Sequence, residues 1–171
     1  FNFLTSTGYT IFALARYTGG DNERVISSRN VNWLFGFHGQ RIGRWYANGW
    51  INGGVNPDTQ WHLQVGMIEK TSNPKAWMWH DGQQTTNGST ASNDTNFAPG
   101  ILQFGGYGGG SEVSKCEIAE VLIYEKPLSD EDRQYVEAYL AHKWDMADTV
   151  LLAGHPHKTA NPFTGLTHVH E

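Results

Sequence analysis

The 171-residue chain has little charge, a single cysteine and no long apolar run. One cysteine, Cys116, excludes a disulfide within the chain, and its place in an apolar segment predicts an inert buried thiol. Lys and Arg number 12 against 17 Asp and Glu, which gives a net charge of −5 without any basic cluster. This balance argues against a nucleic-acid partner. No apolar run approaches the roughly 20 residues of a membrane-spanning helix, so we predict no membrane span.

Several signatures of catalysis are also missing. There is no Gly-x-Ser-x-Gly elbow, which removes the commonest sign of a serine hydrolase. The glycine run at 105–110 does not have phosphate-loop spacing, and no helix is predicted directly after it. Zinc-site signatures such as a cysteine pair or His-Glu-x-x-His are absent. We therefore interpret the His-x-His pairs at 155–157 and 168–170 as tail residues rather than metal ligands.

Glycine, with 20 residues, and aromatics, at 13%, are abundant, which favours an all-β domain with many turns. A chain of this length is most simply one domain that buries roughly 70% of its unfolded surface. Asn-Gly at 48–49 and Asp-Gly at 81–82 predict tight hairpins, and 19–22 and 87–96 predict loops. Short alternating segments predict strands over 10–17, 24–28, 32–38, 44–47, 50–51, 61–70, 76–80, 83–86 and 101–104.

Residues 116–145 are the most informative stretch, because a strand pattern is followed directly by a helix pattern. Apolar side chains occupy both faces of the strand, so we expect an inner strand that is covered on both sides. Pro127 ends the strand. The predicted faces are Ile118, Leu122 and Tyr124 on one side and Ala119, Val121 and Ile123 on the other.

The predicted helix begins after Ser129, whose hydroxyl is placed to cap it with Asp132 three residues on. Acidic residues fill the first turn and His142 and Lys143 the last, as the helix dipole favours. Its predicted apolar stripe consists of Val136, Tyr139, Leu140 and Trp144.

These segments carry a family resemblance. E-I-A-E-V-L-I-Y at 117–124, P-L-S-D-E-D-R at 127–133 and Y-L-A-H-K-W at 139–144 resemble the closing strand and helix of bacterial laminin-G-like domains, in the concanavalin A-like lectin/glucanase superfamily. Y-T-I-F-A-L-A-R-Y at 9–17, R-V-I-S-S-R-N at 24–30 and H-P-H-K at 155–158 are similar to the same family.

The resemblance implies an all-β fold, a two-sheet antiparallel jelly-roll β-sandwich with one C-terminal helix. The sandwich would span 1–150, followed by a tail or linker at 151–171. It also implies an extracellular or cell-surface location and neighbouring domains in a longer chain. It does not imply a reaction, because the superfamily contains lectins, glucanases and adhesion modules.

The carboxylate motif of the superfamily's glucanases is broken in this chain. That motif spaces two glutamates around an aspartate, and Ala119 stands where the aspartate belongs. Glu117 and Glu120 are also expected on opposite strand faces, whereas an acid/base pair must share one cleft. We instead expect Glu120 to accept hydrogen bonds from a cation, Lys143 or Arg133, so that Glu120, Lys143 and Trp144 serve structure.

Aromatic residues suggest saccharide binding, because a flat ring stacks on the C–H face of a sugar. Most of the seven tryptophans are expected in the core. Those beside turns are the better candidates for exposure, and the predicted ligand-binding residues are Trp45, Tyr46, Trp50 and Tyr107. The resemblance also suggests calcium, for which Asp21, Asn22 and Asp94 supply oxygens without the spacing of a dedicated loop.

The sequence thus favours a non-catalytic module of a larger secreted protein that binds a polysaccharide, another glycan or a surface partner. One alternative is a glycan-degrading domain, a glucanase-like hydrolase or a polysaccharide lyase, that takes its acid and base from different strands. Its candidate residues are His38, Asp58, His62, His80 and Asp81. A further alternative is a structural module that packs neighbouring domains together.

Overall fold

A computed structural model describes residues 2–3, 7–90 and 97–163, which form eleven strands and two helices. The elements are β1 (Asn2–Phe3), β2 (Gly8–Asn22), β3 (Ile26–Ser28), β4 (Trp33–Phe37), β5 (Ile42–Ala47), β6 (Trp50–Val55), β7 (His62–Glu69), β8 (Lys75–His80), β9 (Gln83–Thr90), β10 (Gly100–Phe104), β11 (Ser114–Tyr124), α1 (Asp130–Lys143) and α2 (Ala147–Val150).

The strands form two antiparallel sheets. One has the order β1-β10-β3-β4-β5-β6 and the other the order β11-β2-β7-β8-β9. The predicted antiparallel β-sandwich is confirmed, and the short helix α2 is an addition to the one helix expected. Within the described ranges, neither helix combines the length and apolarity of a membrane span.

β2 builds two cores, one on each of its faces. Ile11, Ala13 and Ala15 point between the sheets, whereas Phe12 and Leu14 point towards the helices. The alternation predicted for this strand is therefore confirmed, and the molecule has three layers: the six-stranded sheet, the five-stranded sheet and the helices.

β11 lies at an edge of the five-stranded sheet, paired only with β2 among the described strands. The prediction of an inner strand is therefore wrong, although both faces of β11 still pack in part against a core. Apolar residues on both faces of a strand indicate that other layers cover the sheet above and below. They do not indicate whether the strand pairs with one neighbouring strand or with two.

A β-bulge changes the faces of β11. The register pairs Ile118 with Ala15 but Glu120 with Leu14, which leaves Ala119 as an extra residue. The predicted face sets are wrong for this reason, because the alternation changes phase at the bulge. The residues of β11 that pack against the core between the sheets are Cys116, Ile118, Val121 and Ile123.

The same bulge brings Glu117 and Glu120 to one face, contrary to expectation. Their partners on β2, Arg16 and Leu14, are two residues apart and so share a face. On that face Glu117 forms an ion pair with Arg16, whose Nη2 lies 2.8 Å from Glu117 Oε2.

Helix α1 begins as predicted, with Ser129 Oγ accepting a hydrogen bond from the Asp132 N–H at 3.1 Å. Its buried face differs from the predicted stripe, because Trp144 is 39% exposed. The residues that α1 buries are Arg133, Glu137, Ala138, Leu140 and Ala141. Two charged residues can occupy this face because they neutralise each other, which an apolar pattern does not reveal.

The predicted hairpins at 48–49 and 81–82 are confirmed, with φ of 54° at Asn48 and 49° at Asp81. The predicted loops are partly wrong, because 19–22 belongs to β2 and 87–90 to β9. The rest of the second loop, 91–96, lies outside the described residues.

The described part of the tail packs onto the helices. His155 Nε2 lies 3.2 Å from Glu137 Oε2. Lys158 Nζ donates hydrogen bonds to the Ala147 and Leu151 carbonyls at 2.6 and 2.8 Å, at the end of α2. His155 and Lys158 thus anchor the tail; the pair at 168–170 lies outside the described residues.

Candidate functional site

Trp45 does not have the exposure predicted for a ligand-binding residue. It is fully buried, and its ring packs edge-on against Phe35 with centroids 5.4 Å apart. The prediction takes a position beside a turn as a sign of exposure. It is wrong because Trp45 lies on the face of β5 that points between the sheets. Gly66 provides the room: a Cβ there would lie 2.5 Å from Phe35 Cε2 and 2.9 Å from Trp45 Cζ3.

Trp50 is the exposed aromatic residue of this region, with 49% of its surface accessible. Its ring contacts Tyr46 and His38, with centroid distances of 5.2 and 5.7 Å. The Arg44 guanidinium lies 3.8 Å from the Trp50 ring centroid. The indole is therefore held in place by its neighbours while half of it faces solvent.

The fourth predicted aromatic residue, Tyr107, is linked to Trp50 through Arg24, Glu112 and His38. His38 Nε2 lies 3.2 Å from Glu112 Oε2, and Glu112 forms an ion pair with Arg24. The Arg24 guanidinium in turn lies 4.1 Å from the Tyr107 ring centroid. We refer to this connected surface as the aromatic strip, which consists of Arg24, His38, Tyr46, Trp50, Tyr107 and Glu112.

Glu112 remains a carboxylate within the strip. Burial alone would raise its pKa, but Arg24 and His38 outweigh that effect and hold the pKa below its ordinary value. The strip therefore offers aromatic faces beside an ionised acceptor, Glu112, while Arg24 is 4% exposed and holds that carboxylate from below. Aromatic faces beside a polar acceptor suit a polyhydroxylated ligand.

A groove of about 410 Å³ lies on the other side of the molecule, between the start of α1 and strands β8 and β9. Arg133 covers the ring of Trp79 at 4.3 Å, and Trp79 is 5% exposed. The sequence signal for this groove is the spacing of Trp77 and Trp79, two residues apart on β8, which puts both on one face of that strand. The groove is lined by Met67, Trp77, Trp79, Gln84, Asn87, Leu128, Asp130 and Arg133.

Four residues of the alternative catalytic set meet at one end of the sandwich. His62 Nδ1 lies 2.7 Å from Asp81 Oδ2, and His62 Nε2 lies 2.9 Å from Asp58 Oδ1. His80 Nε2 lies 3.3 Å from the same Asp81 oxygen. We call these four residues the histidine–aspartate cluster; His38, the fifth residue of the set, belongs to the aromatic strip.

The two imidazoles of the cluster differ in electrostatics. Burial would lower the pKa of His62, but its hydrogen bonds to the Asp81 and Asp58 carboxylates, together with their charges, raise it above its ordinary value. Burial lowers the pKa of His80, and the nearby charge of His62 adds to that effect. The rings stack with centroids 4.7 Å apart, so two imidazoles in contact have their pKa values shifted in opposite directions.

The predicted calcium residues do not form an assembled site in the described ranges. Asp21 is exposed and Asn22 is half-buried, both at the end of β2, and Asp94 lies outside the described residues. Calcium therefore stays a prediction. Among the residues that the structure describes, the one group of three or more His, Cys, Asp or Glu ligands is His62, His80 and Asp81.

Glu120 makes one of the two contacts considered for it. Lys143 Nζ lies 2.8 Å from Glu120 Oε2, and Trp144 Nε1 donates to the same oxygen at 2.9 Å, so the carboxylate joins β11 to the end of α1. Arg133 pairs with Glu137 instead. Burial would raise the pKa of Glu120, but Lys143 and Trp144 bring it below its ordinary value.

We expect Glu120→Gln to lower the free energy of unfolding by roughly 0.5–1 kcal/mol at neutral pH. Because the folded state lowers the pKa of Glu120, its contribution is complete above the unfolded pKa and is lost as pH falls through the folded one. Urea unfolding of the unmodified chain and of Glu120→Gln should show a difference in the free energy of unfolding that disappears at acidic pH. Unchanged stability combined with loss of a binding activity would contradict the structural role.

Comparison with protein-family models gives no match, and no curated protein matches the chain. Function is therefore argued from the residues of these sites.

Proposed function

We propose that the chain is a non-catalytic, laminin-G-like jelly-roll module of a longer secreted or surface protein, and that its aromatic strip binds a glycan. The observation that carries the proposal is Trp50, which is half-exposed yet held by Arg44, Tyr46 and His38. An ordered, exposed indole is a binding anchor that loses little conformational entropy when it is covered.

The neighbours of Trp50 have the chemistry that sugars need. A pyranose ring stacked on the indole would bring its hydroxyls towards His38 and Glu112, whose Nε2 and Oε2 atoms lie 3.2 Å apart. Tyr107, stacked beneath Arg24, would extend the contact to a further sugar. This arrangement favours a chain of two or more sugar units over a monosaccharide.

A second candidate function is glycan degradation, by a hydrolase or a lyase. The observation in its favour is that His62, His80, Asp58 and Asp81 come together with one pKa raised and one lowered, as acid–base pairs often are. Trp61 lines the pocket beside this cluster. Binding at the strip remains the first candidate because Trp50 is both 49% exposed and held by its neighbours.

We expect Trp50→Ala to weaken glycan binding by about tenfold or more, since removing an aromatic anchor costs about 1.4 kcal/mol or more. Binding would be found with a glycan array of plant, algal and animal polysaccharides and quantified by titration calorimetry. Repeating the array with a calcium chelator tests the predicted calcium.

Trp77→Ala is the matched control, because it removes a tryptophan from the groove on the opposite side. Loss of affinity in Trp77→Ala with normal affinity in Trp50→Ala would contradict the strip. No binding across the array would contradict the lectin-like function, and shortened polysaccharide after incubation would favour the second candidate.

A further inference from the structure

Asp81 Oδ2 lies between two imidazole nitrogens at the open end of the sandwich. We propose that the histidine–aspartate cluster is a site for a divalent transition-metal ion, Zn²⁺ by its ligand chemistry. The ligands are His62 Nδ1, His80 Nε2 and Asp81 Oδ2. This site is separate from the aromatic strip and does not depend on the proposed glycan.

The distances from Asp81 Oδ2 to the two imidazole nitrogens are close to the ligand spacing around a zinc ion. Zinc binds imidazole nitrogen and carboxylate oxygen at about 2.0–2.2 Å, so tetrahedral neighbours lie roughly 3.3 Å from one another. Asp81 Oδ2 is 2.7 Å from His62 Nδ1 and 3.3 Å from His80 Nε2, and all ligand atoms of the group lie within 4.8 Å of one another. Small side-chain rotations would admit the ion.

Each ligand is also held at the atom that does not face the ion. His62 Nε2 contacts Asp58 Oδ1 at 2.9 Å, and His80 Nδ1 contacts the Gln64 amide at 2.7 Å. Asp81 Oδ1 accepts the Leu63 N–H at 2.8 Å. Metal-binding histidines and carboxylates usually have such supporting partners, which fix the tautomer and the ring orientation.

Gln64 provides an independent observation. It is completely buried, and its Oε1 has no hydrogen-bond partner among the described residues. A buried polar atom without a partner costs roughly 1–3 kcal/mol. When His80 binds a metal through Nε2, its Nδ1 must carry a proton, and a half-turn of the Gln64 amide would present Oε1 to accept it.

The ligand set favours zinc over calcium, and the position of the ligands leaves the ion accessible to solvent. Two imidazoles and one carboxylate suit zinc, whereas calcium takes six to eight oxygens. Three protein ligands leave a fourth position for water. The His80 and Asp81 side chains are 18% and 22% exposed, and a pocket of about 440 Å³ that includes His62 and Asp81 in its lining gives a path for entry.

The test is calorimetric titration of ZnCl₂ into the chelator-treated full chain, with native mass spectrometry for stoichiometry. We expect one tightly bound Zn²⁺ per chain and tetrahedral absorption bands when Co²⁺ replaces it. His80→Gln and Asp81→Asn should each abolish this binding. Asp58→Asn, which keeps all three ligands, should weaken it about 10–100-fold.

His157→Gln and Trp50→Ala are the controls and should bind zinc as the unmodified chain does. Absence of a tight zinc site would overturn the proposal. So would zinc binding that survives undiminished in folded His80→Gln or in folded Asp81→Asn, because the ion would then occupy other residues.

Discussion

Glu137→Gln is expected to lower the free energy of unfolding by about 3–5 kcal/mol, the usual cost of breaking a buried ion pair. The Glu137 side chain has no exposed surface; one of its oxygens pairs with Arg133 and the other lies 3.2 Å from His155 Nε2. An amide cannot balance the buried guanidinium, so the helix and the tail lose a shared partner. Urea unfolding followed by tryptophan fluorescence measures the effect.

Asp130→Asn is the matched control. Asp130 also pairs with Arg133, at 3.4 Å, but its side chain is 85% exposed. Because exposed pairs contribute little, we expect a loss below about 1 kcal/mol. Equal losses in the two variants would mean that burial does not decide the strength of these pairs.

Trp45→Ala is expected to cost about 3–5 kcal/mol, as truncation of a buried tryptophan does. The ring fills the space between the sheets against Phe35 and above Gly66. Thermal or urea unfolding should show the loss directly, with Trp50→Ala changing stability by no more than about 1 kcal/mol.

Trp45→Ala and Trp50→Ala together separate packing in the core from glycan binding, whereas the sequence predicts both tryptophans in the ligand-binding set. Trp45→Ala should unfold easily, and Trp50→Ala should stay folded and lose glycan. A Trp45→Ala protein with normal stability but no glycan binding would restore Trp45 to the ligand-binding set and contradict its place in the core.

Local features of the fold could be predicted from the sequence because they depend on near neighbours. The alternation from Thr10 to Tyr17 separates two cores, and Ser129 with Asp132 begins the helix. Asn48 and Asp81 adopt positive φ in the predicted hairpins. Each of these signals is complete within a few residues of sequence.

Other features depend on register and on distant partners. The bulge at Ala119 places Glu117 and Glu120 on the same face of β11. Nothing in the local sequence pattern indicates that a bulge occurs there. Glu112 forms an ion pair with Arg24, which lies 88 residues earlier in the chain. On α1, the buried Glu137 gains its second partner only because the tail brings His155 back to the helix. The aromatic strip and the histidine–aspartate cluster therefore follow from strand pairing, although most of their residues could be named in advance.

The most direct test of glycan binding at the strip is a heteronuclear NMR spectrum of the indole N–H groups of the seven tryptophans, recorded with and without the glycan that binds best. We expect the Trp50 signal to shift in proportion to occupancy, while those of Trp77 and Trp79 stay in place. Shifts at Trp77 or Trp79 with an unmoved Trp50 signal would contradict the account.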